Sequence, residues 1–207
     1  MDVGANQGYF TLQSASLVGP EGAVHAFEPS PQVADLLEFN CRLNSRDNIT
    51  LHRNAVSNEC GIVEFNVATN EHCGLSSMRD IGHLSIKKIN IPSITLDSIK
   101  ETLPYVKLVK IDVEGAEFMI LQGMCELIQR DHPYIIFELT NDFLLQMGSN
   151  AAMVVDYLTA LNYTCYEIQD HMMQTMLTSP NYQCNILGVP DANHRNILPL
   201  SLTNAMK

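Results

Sequence analysis

Three short apolar runs in this chain each stop at an acid: Ala23 to Phe27 ends at Glu28, Val106 to Ile111 at Asp112, and Tyr134 to Phe137 at Glu138. Runs this short have the length of buried strands, and here they alternate with stretches of helical periodicity, the signature of an α/β fold. The reading is a mostly parallel sheet with helices on both faces. In an open sheet of that kind the ligand crevice lies outside the carboxyl ends of the strands, so acids placed there face a ligand.

The other elements follow from local signals. Phe10, Leu12, Ala15 and Val18 are spaced for a helix closed by Gly19-Pro20. Ser30-Pro31 reads as an N-cap with proline at the first helical position, Thr95 caps a short helix through Leu103, and Asn150 opens another. A long helix is expected from about Gly115 to Arg130. Met1 to Val3, Ile49 to Arg53, Tyr163 to Ile168 and Asn185 to Val189 read as strands. Ile62 to Val67 and Lys88 to Ile94 alternate at period two, which predicts an antiparallel hairpin insertion whose middle, Thr69 to Gly82, is loop.

Composition narrows the function. The 207 residues, 46% of them hydrophobic, suffice for one core and one domain. A formal charge of −11 repels phosphates, so no nucleic-acid partner is expected. No apolar stretch approaches the roughly 20 residues of a membrane helix. The six cysteines lack a CxxC pair and read as reduced thiols. No pair of the seven histidines has metal-ligand spacing, and no metal is expected. The chain shows no secretory leader, so a cytoplasmic location is expected if the N-terminus is genuine.

The strongest local signal is Asp2-Val3-Gly4-Ala5-Asn6-Gln7-Gly8, between a strand end and an amphipathic helix. A dinucleotide fingerprint would read GxGxxG, whereas this loop reads GxNxG. S-adenosylmethionine suits it better, because that ligand has no pyrophosphate but carries an amino-acid end and a ribose diol. Loop amides can meet its carboxylate, Asp2 can orient the loop or bind the ammonium, and Glu28 lies about 20 residues past Gly8, the spacing of a ribose-binding acid.

Asp2 through Leu12, followed by Ala26-Phe27-Glu28-Pro29-Ser30, resembles methyltransferases of the FkbM family. Asn54 to Ser57, Ile94 to Asp97, Val109 to Glu117 and Ile135 to Leu139 are similar to later landmarks of that family, in its order. The resemblance implies a Rossmann-like class I methyltransferase with a seven-stranded sheet over residues 1–190, and 191–207 as a C-terminal tail. It implies S-adenosylmethionine as cofactor and a small-molecule or glycan hydroxyl acceptor. By that resemblance Gly4, Asn6 and Gly8 line the methionine end, Glu28 the ribose, and Asn54, Ala55 and Val56 the adenine edge.

Methyl transfer to a neutral hydroxyl needs an acceptor for its proton, and the strand-end position nominates Asp112, Glu114, Glu117 and Glu138, with Asp112 first. Glu114 and Glu117 have a structural alternative as helix-start carboxylates. Lys110 is either a snorkelling edge residue or a partner for these acids. Asp112 with Asn141-Asp142 loosely fits a magnesium site, a lesser alternative. An Asp/Asn-Pro-Pro-aromatic run, expected for amino-group acceptors, is replaced by Asp112-Val113-Glu114-Gly115, which favours oxygen. The rival readings are a nicotinamide-dependent oxidoreductase and a non-catalytic binding module. The second has a motive: only Met1 to Val3 precede the glycine loop, so a truncated first strand, a fragment and an impaired cofactor site are expected. The Cys73 to Gly82 loop and the Thr140 to Gly148 connection are expected to cover the acceptor pocket.

Overall fold

A computed structural model describes residues 1–68, 76–82, 85–169, 172–175 and 183–191. The strands are β1 (Asp2–Val3), β2 (Val24–Phe27), β3 (Ile49–His52), β4 (Ala55–Val56), β5 (Gly61–Ala68), β6 (Ser85–Ile94), β7 (Leu108–Ile111), β8 (Tyr134–Thr140), β9 (Tyr163–Gln169), β10 (Met172–Thr175) and β11 (Gln183–Pro190). The helices are α1 (Tyr9–Val18), α2 (Pro31–Leu43), α3 (Leu96–Ile99), α4 (Glu117–Gln122), α5 (Cys125–Asp131), α6 (Asn141–Gln146) and α7 (Ala151–Ala160).

The main sheet runs β10-β9-β11-β8-β7-β1-β2-β3. Strands β3, β2, β1, β7 and β8 pair in parallel, and β11 inserts antiparallel between β8 and β9. The expected seven strands are all present, and β10 adds an eighth at the edge, antiparallel to β9. β1 is short, as expected, but its ladder is extended by the Met1 carbonyl, which accepts from the Lys110 amide at 2.9 Å. The hairpin insertion is β5 with β6, and β4 completes a second, three-stranded sheet.

The larger core gathers Val3, Val109, Ile111, Ile135, Phe137 and Leu139 under α3, α4, α5 and α7. The smaller one holds Ala5, Ala26, Leu37 and Cys41 beneath α1 and α2. Alternation along β7 sends Val109 and Ile111 to the larger core and leaves Leu108 and Lys110 on the other face.

Two caps form as the sequence predicts: Thr95 Oγ1 accepts from Ser98 N and Asn150 Oδ1 from Met153 N, both at 3.0 Å. Ser30 occupies the N-cap of α2 with Pro31 following, but its hydroxyl makes no cap bond. The long helix expected over Gly115 to Arg130 is instead two, broken at Gly123. A Cβ at Gly123 would stand 2.1 Å from the Ser57 carbonyl oxygen, so the break lets this turn seat against the strand-end loop after β4. The connection after Thr140, expected as loop, is the helix α6. Among the described residues no helix is long and apolar enough to cross a membrane. Five cysteines are free thiols; Cys73 and the expected tail beyond Asp191 lie outside the described residues.

Candidate active site

The carboxyl ends of β1, β2, β7 and β8 open into a cavity of about 530 Å³, within the range of small-molecule sites. Its lining includes Gly4 and Asn6 after β1, Glu28 after β2, Asn54, Ala55 and Val56 after β3, Asp112 and Glu114 after β7, and Glu138 of β8. Phe65, Ser76 and Met78 of the hairpin insertion cover it. Ser76 and Met78 belong to the Cys73 to Gly82 loop expected to cover the pocket, whereas sequence reasoning missed Phe65, which no local motif marks.

Two of the expected cofactor residues stand elsewhere. Asp2 is buried beneath the loop, accepting from Thr11 Oγ1 at 2.6 Å and ion-paired to Lys110 at 3.3 Å. Its role is to orient the loop and α1, the first of the two expected for it. Gly8 has φ 93 and faces α2: a Cβ there would lie 2.3 Å from Leu37 Cδ1. Gly4 is also demanded by the chain itself, because a Cβ would fall 1.9 Å from the Asp112 carbonyl oxygen.

The loop amides differ from expectation. Those of Gly4 and Ala5 donate to Phe27 O, that of Asn6 to Glu28 Oε2, that of Gln7 to Asn6 Oδ1, and that of Gly8 to Ala5 O. All are therefore engaged within the chain and none is left for a ligand carboxylate. The amides that no helical carbonyl can reach are those of the first turn of α1, beside a second cavity of about 350 Å³ that shares Gly4, Asn6 and Asp112 with the first. An exposed aromatic pair, Tyr9 and Phe10, borders it.

Glu28 is buried, with Oε2 accepting from Asn6 N and Oε1 from Ser30 N, each at 2.9 Å. Burial outweighs these bonds and pushes its carboxyl up to about 7. Each oxygen keeps a second lone pair, so the residue can still accept from a diol. Beside it Val56, Phe65 and Met78 offer an apolar slot. This donor and acceptor set fits an adenosine: a carboxylate for its hydroxyls and apolar walls for its ring.

Lys110 resolves as a charge partner. Its Nζ stands 3.3 Å from both Asp2 Oδ1 and Asp112 Oδ2, with Phe10 over it at 5.2 Å. Glu114 has no such cation on its carboxylate among the described ion pairs. Burial first, then the charges of Asp112 and Glu138, push its carboxyl up to about 7. Its backbone is left-handed, φ 61, a conformation that costs a residue with a Cβ. The turn is held from above: Glu114 O accepts from Ser77 Oγ at 3.3 Å and Arg79 Nε at 3.2 Å.

Of the two acids given a structural alternative, only Glu117 takes it. It starts α4, and its Oε1 accepts from Val113 N and Gly115 N at 3.3 and 3.1 Å. Glu114 lies in the preceding turn. Glu138 Oε1 accepts from Gln183 Nε2 at 2.9 Å. Of the residues named for a magnesium site, Asn141 Oδ1 accepts from Ala151 N at 2.9 Å, and among the described residues no three His, Cys, Asp or Glu side chains are grouped to hold a metal ion. His132 is the left-handed C-cap of α5, and His25 contacts His52 across β2 and β3 at 3.0 Å.

Comparison with known proteins points the same way. The methyltransferase FkbM domain matches residues 2–165. The hexuronic acid methyltransferase AglP of Haloferax volcanii is 31% identical over 130 residues, 62% of this chain and 50% of that protein. The FkbM methyltransferase structure from Methylobacillus flagellatus superposes with a TM-score of 0.58 at 14% identity, over 90% of this chain and 42% of its own. Fibrillarin of Aeropyrum pernix, solved with natively bound S-adenosyl-L-methionine, gives 0.51 at 13% identity, over 91% of this chain and 64% of its own. These structures share the fold. The chain spans about half the length of the curated relative.

Proposed function

Because this chain belongs to the FkbM methyltransferase family, whose cofactor is S-adenosylmethionine, we propose that it methylates a hydroxyl oxygen of a sugar or related small molecule. The observation that carries this reading is a single cavity lined by Glu28 after β2, Gly4 and Asn6 after β1, and Asp112 and Glu114 after β7, three neighbouring strands. The curated relative, named for a hexuronic acid, supports a sugar acceptor. The absence of the Asp/Asn-Pro-Pro-aromatic run supports oxygen over nitrogen. Nothing in the glycine loop supports the nicotinamide alternative.

S-adenosylmethionine supplies a sulfonium methyl open to in-line displacement. Glu28 would hold the ribose end, Asn54 to Val56 the adenine edge, and the first turn of α1 the amino-acid end. Asp112, paired with the Lys110 it shares with Asp2, orients the acceptor. Glu114 takes the hydroxyl proton: a carboxyl near 7 is matched to proton uptake at neutral pH. Holding oxygen and carbon in near-attack geometry contributes several kcal/mol more.

Calorimetry with S-adenosylhomocysteine, followed by transfer of a labelled methyl group to a panel of hydroxylated glycans, tests the reading. Binding and transfer that fall away in Glu28→Ala and Glu114→Gln respectively are expected. A folded chain without affinity for S-adenosylhomocysteine would sink it and favour a binding module.

A further inference from the structure

Glu114, the proposed proton acceptor, sits on a backbone that needs holding. The turn after β7 places two residues in succession in the left-handed region, Glu114 at φ 61 and Gly115 at φ 112. Glycine adopts that region freely, whereas a residue with a Cβ stays there only where its surroundings fix it. On one side of the turn Glu117 Oε1 accepts from Val113 N and Gly115 N. On the other side the insertion takes the carbonyls: Ser77 Oγ stands 3.4 Å from Val113 O and 3.3 Å from Glu114 O, and Arg79 Nε donates to Glu114 O at 3.2 Å.

These two donors are themselves fixed. Ser77 is 1% exposed, its backbone exchanges hydrogen bonds with Asn66 of β5 at 2.8 and 3.0 Å, and its Oγ accepts from Arg79 N at 3.1 Å. Asn66 Nδ2 donates to Arg79 O, and the Arg79 guanidinium stacks over Phe143 at 3.9 Å and reaches Gln146 Oε1 at 3.1 Å. The cation meets Glu114 at its carbonyl, and none of the described ion pairs joins it to the Glu114 carboxylate. A guanidinium on the carboxylate would hold it ionised and oppose proton uptake. On the carbonyl it fixes the turn instead.

Resting on the methyl-transfer reading, in which Glu114 takes the proton, we propose that Ser77 is a positioning residue: its hydroxyl, with Arg79 seated on it, holds the 113–115 turn in the conformation that keeps the Glu114 carboxylate in the cavity. The same segment carries Ser76 and Met78, which line that cavity. Covering the cofactor and aligning the base are therefore tasks of one piece of chain.

The test compares the wild type with Ser77→Ala and with Ser77→Cys, a poor donor of nearly the same size. The assay is labelled methyl transfer to whichever glycan of the hydroxylated panel the wild type methylates fastest. Ser77→Ala is expected to lower kcat roughly 10- to 100-fold, the scale of a misplaced reacting group, with acceptor KM and S-adenosylhomocysteine affinity within about threefold of the wild type. Asp112, Glu138, Glu117 and Arg79 surround Glu114, and burial together with the three acids pushes its carboxyl up to about 7. A turn released from Ser77 gives that carboxyl more water, so the acid limb of the rate profile should move from near 7 toward the ordinary 4.5. Ser77→Cys should show the same changes in weaker form. Wild-type kcat and limb in both variants overturn the proposal, as they do in Ser77→Cys alone where Ser77→Ala does not bind S-adenosylhomocysteine. A fall in kcat with the limb unmoved, the sign of a merely structural loss, overturns it too. A wild type that binds no S-adenosylhomocysteine, or methylates none of the panel, overturns the methyl-transfer reading instead.

Discussion

Replacing Glu28 by Gln separates its two roles, loop staple and cofactor acceptor. In the native site both oxygens accept backbone amides, from Asn6 and Ser30, at 2.9 Å. Glutamine keeps one acceptor and turns a donor toward the other amide, which is also what protonation of Glu28 does. With its carboxyl pushed up from 4.5 to about 7, the native residue is roughly 3% ionised at pH 5.5 and mostly ionised at pH 8. A charge-assisted hydrogen bond to the ribose is worth about 1.5–3 kcal/mol, so its loss weakens affinity roughly 10- to 150-fold. Isothermal calorimetry with S-adenosylhomocysteine should show that factor between the two proteins at pH 8. The wild type should lose affinity roughly tenfold per pH unit below 7 while Glu28→Gln stays flat, so the curves meet near pH 5.5. The stability sign is opposite. An acid raised on folding takes up protons in the native state, so the ligand-free chain loses stability as pH rises from about 4.5 to 7, and the variant, lacking this group, loses less. A change under threefold in Kd at pH 8, or a wild-type affinity that ignores pH, would show that Glu28 only staples the loop.

Glu114→Gln should leave S-adenosylhomocysteine affinity near that of the wild type but cut kcat by roughly 10²- to 10⁴-fold, and abolish an acid limb centred near pH 7 in the rate profile. Gly4→Ala drives a Cβ into the Asp112 carbonyl at 1.9 Å with φ +76, and should cost about 3 kcal/mol or more in urea denaturation. Gly148→Ala, with φ +80 but nothing within 4 Å, is its control and should cost about 1 kcal/mol. Arg79→Lys loses the stacked, forked contact and should raise acceptor KM more than it lowers kcat, with faster amide exchange in the β5 and β6 arm; exchange unchanged from the wild type counts against a latch at Arg79.

The sheet, its helices and the strand-end acids were legible because each rests on a local pattern: an apolar run, a cap, a periodicity. What was not legible depends on contacts between distant segments. Gly123 ends α4 where Ser57, far away in sequence, leaves no room for a side chain. Arg79 sits in a stretch with no motif, and its importance comes only from the partners at Glu114, Phe143 and Gln146. The glycine loop is the instructive case. Its residue types predicted close approach of backbone to ligand, but the close approach at Gly4 and Gly8 is to Asp112 and Leu37 of the chain itself. A glycine reports that space is short, and only the fold says what fills it.

The same distinction assigns the acids of the crevice. By sequence, Asp112 is the leading base, since it ends the central strand. In the fold it shares Lys110 with Asp2, and the ammonium at 3.3 Å from each fixes where its carboxylate points. Glu114, two residues on, has a strained backbone and a half-buried carboxyl, and its burial and acidic neighbours raise its affinity for a proton. A carboxylate held by a cation is suited to orienting a ligand, and one whose pKa is raised toward neutral is suited to proton transfer. Lys110 holds Asp112 to the first of these tasks, and it can do so only because β7 lies beside β1, where one side chain reaches both the loop's anchor and the crevice.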